Sequence, residues 1–123
     1  MYDRSFLLEL FLEIEEALRR IERRFTGISS PNDFIRDDDG LDRLDAIAMM
    51  LVAIGENTQR LDKYVSPDLF EKYADIDWAG IKGLRNILAH NYFSIDAEEI
   101  YQICAVEIVA FREAIAKLRH DVF

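Results

Sequence analysis

The stretch Leu7-Leu8-Glu9-Leu10-Phe11-Leu12-Glu13-Ile14-Glu15-Glu16-Ala17-Leu18-Arg19-Arg20-Ile21-Glu22-Arg23-Arg24-Phe25 decides the fold class. Leu7, Phe11, Ile14, Leu18, Ile21 and Phe25 recur at spacings of four and three, with charged residues between them. A repeat near 3.6 residues gathers those apolar positions on one side of a helix. The spacing therefore predicts an amphipathic helix from about Asp3 to Phe25. Its acids lead and its arginines trail, which suits the helix macrodipole. Thr26-Gly27 ends it.

The same rhythm returns twice. Leu44, Ile47, Leu51, Ile54, Thr58 and Leu61 predict a second long helix from about Leu41 to Tyr64, with Gly55 inside it. A glycine there costs about 1 kcal/mol against alanine and marks close packing or a bend. Ile100, Cys104, Ile108, Phe111, Ile115 and Leu118 predict a last helix from Ala97 to about His120, with Asp96 as its cap and Glu99 three residues on. Shorter helices fit between. Ser30-Pro31 opens one that reaches Arg36, Ser66-Pro67 opens one that reaches about Tyr73, and Asp77 caps one from Trp78 to His90 or Asn91. Asp37-Asp38-Asp39-Gly40 reads as a solvated turn, because the spaced acid of a calcium loop is missing. Nothing alternates with period two. The expectation is one all-α domain over residues 1–123, an antiparallel up-and-down bundle of four main helices with short connecting helices.

Composition agrees. The chain has 123 residues, half of them apolar and 32% charged, with 5 Gly and 2 Pro. That length buries roughly two thirds of the unfolded surface without staples, and so few turn residues argue against an all-β fold. One cysteine, Cys104, excludes a disulfide framework and any thiolate zinc site. No apolar run approaches the ~18 residues that span a bilayer. Met1-Tyr2-Asp3-Arg4 lacks the basic start of a signal peptide, so the expected compartment is the cytoplasm and no membrane contact is expected. The net charge of −9 rules out a general nucleic-acid coat, and any RNA contact must be local.

Chemistry concentrates in Asp77-Trp78-Ala79-Gly80-Ile81-Lys82-Gly83-Leu84-Arg85-Asn86-Ile87-Leu88-Ala89-His90-Asn91-Tyr92. Arg85 offers a planar fork of donors to a phosphate. His90 is the natural proton carrier near neutral pH. Asn86 and His90, four apart, share a helix face. Arg85 and His90, five apart, diverge by ~140° on an ideal helix. They converge only if the helix loosens near His90 or a second chain contributes. A histidine at a helix C-terminus is also at home there for dipole reasons alone. Arg19, Arg20, Arg23 and Arg24 form a basic end that could be a local RNA footprint or could pair with Glu15, Glu16 and Glu22. Glu56 could orient a site residue or serve packing specificity. A di-metal carboxylate site needs Glu-x-x-His pairs, but Ile87 and Lys117 stand three before the two histidines, so no metal or cofactor is expected.

These residues resemble the HepT-like branch of HEPN-domain proteins. The resemblance rests on Asp77-Trp78, Ile81, Gly83-Leu84-Arg85-Asn86, Leu88-Ala89-His90, Tyr92 and Ile95-Asp96, with Ile54-Gly55-Glu56-Asn57 and Leu61 upstream and Phe34 in the connection. It implies an all-α HEPN-like homodimer acting as the toxin of a type II/VII-like toxin–antitoxin module. The implied activity is metal-independent endoribonuclease action on RNA, tRNA or mRNA, through attack of the 2′-hydroxyl. Arg85 and His90 map onto the family's catalytic pair, Asn86 onto the polar residue after the arginine, and Tyr92 onto the tyrosine to which a minimal nucleotidyltransferase antitoxin transfers AMP. The alternative is a non-catalytic HEPN subunit that docks a nucleotidyltransferase or positions its substrate, a reading the negative charge favours. A third reading is a helical dimerisation module without activity.

Overall fold

The structure, a computed structural model, describes residues 4–90 and 92–123, the Tyr92 side chain excepted. All regular structure among these residues is helical. In chain order the helices are α1 (Arg4–Phe25), α2 (Asn32–Ile35), α3 (Asp38–Leu61), α4 (Pro67–Glu71), α5 (Trp78–Lys82) and α6 (Leu84–His90). A 3-10 turn (Tyr92–Ser94) then leads into α7 (Ala97–Gln102), which runs through a π turn (Ile103–Glu107) into α8 (Ile108–Val122).

Side-chain contacts give the directions. Arg43, early in α3, donates to the carbonyls of Arg24 and Thr26 at the end of α1. Asn57, late in α3, donates to the Leu10 carbonyl and to Glu13. The two helices are therefore antiparallel. The rod of α7, π turn and α8 also runs against α1: Arg112 pairs with Glu22, Arg119 with Glu15, and the Phe123 ring meets Phe11. The up-and-down bundle expected from periodicity is what forms.

The predicted stripes make its interior. Leu7, Phe11, Ile14, Leu18 and Ile21 of α1 are buried, as are all six stripe residues of α3 and all six of the last rod. Phe25 is half-buried and stacks near Phe34 and Tyr101. Burying each large side chain stabilises the fold by about 1.5–3 kcal/mol. Trp78 seals one end of the core, edge-on to Phe70 and Phe111, and its indole N–H donates to the Tyr73 carbonyl at 3.0 Å. Cys104 belongs to this interior. Burial pushes its thiol up to about 12, so it packs and does not react.

Several boundaries differ from those expected. Asp38 to Gly40 form the first turn of α3 rather than a solvated turn, because the Asp37 carboxylate accepts from the Gly40 N–H at 2.8 Å. Ser30 does not cap α2. Instead Asp33, inside that helix, reaches back and accepts from Ser29 N–H, Ser29 O–H and Ser30 N–H at 2.8, 3.0 and 3.2 Å. Ser66, Asp77 and Asp96 cap as expected, the last bonding Glu98 N–H. The helix starting at Trp78 is two helices, parted at Gly83. The last rod is interrupted by the π turn. Gly27, at a φ of 88°, supplies the left-handed residue that ends α1.

Among the described residues three carboxylates lie below their ordinary range. Backbone and hydroxyl donors from Ser29 hold Asp33 down, Tyr73 and Lys72 hold Asp121 down, and Arg19 and Arg20 bring Glu16 to about 2. A lowered folded-state value contributes stability that is present above the unfolded value and lost as pH falls through the folded one. Thermal unfolding followed by circular dichroism should therefore show a midpoint that drops as pH falls from about 4.5 toward 2. Asp33→Asn should lower the midpoint at pH 7 and narrow its gap to the unmodified chain at pH 2.

Candidate functional site

The site is built from the point where α5 and α6 meet α3. A Cβ on Gly55 would lie 2.8 Å from the Ile81 carbonyl oxygen, 3.4 Å from Arg85 N and 3.5 Å from Leu84 Cβ. Only a residue without a side chain lets the α5–α6 junction approach this closely. Leu84 and Leu88 point into the core, so Arg85, Asn86 and His90 face outward.

That approach sets Arg85 beside the residue after Gly55. Arg85 Nε forms an ion pair with Glu56 Oε1, 2.8 Å away, while Glu56 Oε2 lies 3.9 Å from Arg60 Nη2. Arg60 Nη1 in turn donates to Asn57 Oδ1 at 3.0 Å, and Asn57 Nδ2 donates to Glu13 Oε1 at 3.0 Å. A polar chain thus links α1 and α3 to Arg85. The Arg85 side chain is 61% exposed, and among the described residues its guanidinium makes no hydrogen bond beyond this ion pair. Its inner edge is fixed and its outer edge is open to an anion.

His90 is the last residue of α6. Its Nδ1 lies 2.7 Å from the Asn86 carbonyl oxygen. A carbonyl can only accept, so the neutral ring carries its proton on Nδ1 and presents Nε2 outward as a base. Asn86 therefore acts on His90 through its backbone, a role that its identity alone does not announce. No hydrogen bond joins Arg85 to His90 among the described residues. One chain holds them at opposite ends of a seven-residue helix.

The remaining candidates divide. Arg19 and Arg20 both bond Glu16 at 2.8 Å. Arg20 also lines a shallow groove of about 470 Å³ between α1 and α3, shared with Glu56 and Arg60. Arg23 is exposed, and Arg24 is partly covered, with Nη1 buried and unbonded. The Tyr92 side chain, proposed as the modification point, lies outside the described residues. Arg60 and Glu13 are additions from the structure. The four-residue step from Glu56 to Arg60 is the sequence signal that could have found the first of them.

A family model described as "Ribonuclease HepT-like" matches residues 14–118. The chain belongs to the HepT-like ribonuclease family. "Putative RNase MJ1380" of Methanocaldococcus jannaschii is 31% identical to this HepT-like chain over 70 residues, 57% of it and 61% of the relative. "Putative RNase TTE0752" of Caldanaerobacter subterraneus subsp. tengcongensis is 29% identical over 115 residues, 94% of the chain and 92% of the relative. The chain thus spans about three fifths of the first relative and nearly all of the second. No solved structure matches. No helix among the described residues is long and apolar enough to cross a membrane.

The junction at Gly55 is open to test in this HepT-like fold. Gly55→Ala gains up to about 1 kcal/mol of helix propensity but must displace backbone, and overpacking costs about 1–3 kcal/mol. Chemical denaturation should give a lower midpoint for the variant. A midpoint at or above that of the unmodified chain would show that the junction yields.

Proposed function

We propose that the chain is a metal-independent endoribonuclease, the toxin of a toxin–antitoxin pair, working as a homodimer on RNA, tRNA or mRNA, in the cytoplasm. The observation that carries this reading is the pairing on one exposed helix of an arginine anchored at Nε with a histidine whose Nε2 is the open base. RNA brings its own nucleophile. The 2′-hydroxyl attacks the adjacent phosphorus in line, the O2′–P bond forms as the P–O5′ bond breaks, and the products are a 2′,3′-cyclic phosphate and a 5′-hydroxyl. His90 Nε2 takes the 2′ proton. The terminal nitrogens of Arg85 face the charge that grows on the phosphorane oxygens. The leaving 5′-oxygen needs a proton that a second, protonated imidazole can give. Because one chain offers one such histidine, a two-fold pair of chains completes the set. Of the four α1 arginines, Arg20 lines the groove shared with Glu56, Arg19 and Arg23 are exposed beside it and Arg24 is partly covered, so the first three are open to RNA beyond the cleavage point.

Inhibition by a minimal nucleotidyltransferase antitoxin belongs to the same reading. Tyr92 follows His90 by two residues. AMP on its hydroxyl would set a phosphate in competition with substrate. The second reading, a non-catalytic HEPN subunit that docks such a transferase, is favoured by the net charge of −9 and by Glu9, Glu13 and Glu16 in the groove shared with Arg20.

His90→Ala and Arg85→Ala should each lower cleavage of end-labelled RNA by about 100-fold or more with circular dichroism unchanged. Cleavage by the unmodified chain should persist in chelator. Full activity in either variant refutes the assignment, and RNA bound but uncut by the unmodified chain supports the non-catalytic subunit. Incubation with the partner transferase and ATP should add AMP to the unmodified chain and not to Tyr92→Phe, as read by mass spectrometry.

A further inference from the structure

Helix α6 has a second flank. Opposite the Glu56 side, α5 and α6 form one wall of a cleft of about 520 Å³ whose other wall is the rod from α7 to α8. Leu84, Ile103 and Phe111 line its floor. Ile87 and Val106 stand on its two lips, 49% and 55% exposed. A smaller cavity of about 160 Å³ shares Leu84, Ile87 and Ile103 and continues the trough to Ile95. The result is an apolar groove between two helical walls, open along its lips.

Its charge is one-sided. Asp75, Asp77, Glu99 and Glu107 line the larger cavity and Asp96 the smaller, while no Lys, Arg or His lines either. Asp77 and Asp96 are engaged as helix caps. Asp75, Glu99 and Glu107 have no cationic partner among the described residues. Elsewhere the pattern is different: Glu15, Glu16 and Glu22 on α1 each meet an arginine. Ile103, Val106 and Glu107 come from the π turn, a local widening that aims side chains out of the regular helical register.

We propose that this groove docks an amphipathic helix of a partner protein, apolar along its inner face and edged with lysine or arginine. The floor and lips supply apolar area for a helix laid between two helices. The unpaired carboxylates supply complementarity to a basic edge. RNA does not suit the groove, since its phosphates would face carboxylates only. A second copy of a chain with net charge −9 suits it poorly, because an isologous pairing would set acid against acid. A partner seated there touches Ile87 and so braces α6 from the side away from Arg85. The proposal does not depend on ribonuclease activity.

The test uses the full chain and a fluorescein-labelled Leu/Lys amphipathic peptide about 14 residues long, close to four helical turns. Fluorescence anisotropy should show saturable binding. Glu99→Lys with Glu107→Lys should weaken it about tenfold or more, and Val106→Ser should weaken it with the charges untouched. Asp42→Lys with Asp45→Lys, on the outward side of α3, should leave it unchanged. A matched Leu/Glu peptide should not bind. Absence of saturable binding, equal losses from both charge reversals, or displacement of the peptide by an RNA oligonucleotide would each overturn the proposal. So would a change in mass by light scattering for Glu99→Lys with Glu107→Lys, which would give the groove to a second copy.

Discussion

The contact on which the rest depends is the approach of the α5–α6 junction to the backbone of α3 at Gly55. A side chain at that point would meet a carbonyl oxygen that belongs to the turn itself. Because the junction sits flush, the first turn of α6 starts within reach of Glu56, and Arg85 acquires its orientation from a neighbouring helix rather than from its own. Gly83 is the complementary requirement. It parts α5 from α6, so that each short helix can settle on α3 separately.

The polar chain from Glu13 through Asn57, Arg60 and Glu56 to Arg85 is better understood as geometry than as stability. Ion pairs this exposed contribute about 0–1 kcal/mol each, far less than one buried phenylalanine of the core. What they restrict is direction. A guanidinium held at Nε loses rotational freedom while its terminal donors remain open, the arrangement an anion-binding site needs. Among the described residues nothing equivalent ties His90 to Arg85 within one chain. That separation is why the functional reading calls for two chains, whereas the fold does not.

Much of this was legible from residue spacing. The three stripes predicted from periodicity are buried almost without exception, since a four-three rhythm leaves an amphipathic helix no other low-energy placement. Ser66, Asp77 and Asp96 could be recognised as caps because the apolar pattern starts just after them. Asp37 was hidden because its helix opens with two further aspartates and a glycine, residues that read as a turn. Asp33 was hidden because it acts backward on Ser29 and Ser30 from within a helix. At the site, Arg85, His90 and Glu56 announce themselves by type and spacing. The use of the Asn86 carbonyl, the Arg60 branch and the acid-lined groove depend on how helices distant in sequence lie together, which periodicity does not encode.

The π turn explains an oddity in the spacing of the last stripe. From Ile100 to Cys104 to Ile108 the apolar residues step by four and four, a pattern that on an ideal helix would drift by ~80° around the axis. The wider turn at Ile103–Glu107 absorbs that drift, so that Ile100 and Phe111 both reach the interior. One rod can therefore serve two differently oriented neighbours, α2 and α3 at its start and α1 along its length. The extra residue works as a phase corrector. A lineage that shed it would have to re-time every apolar position on one side of the turn, which binds the two halves of the rod into a single evolutionary unit.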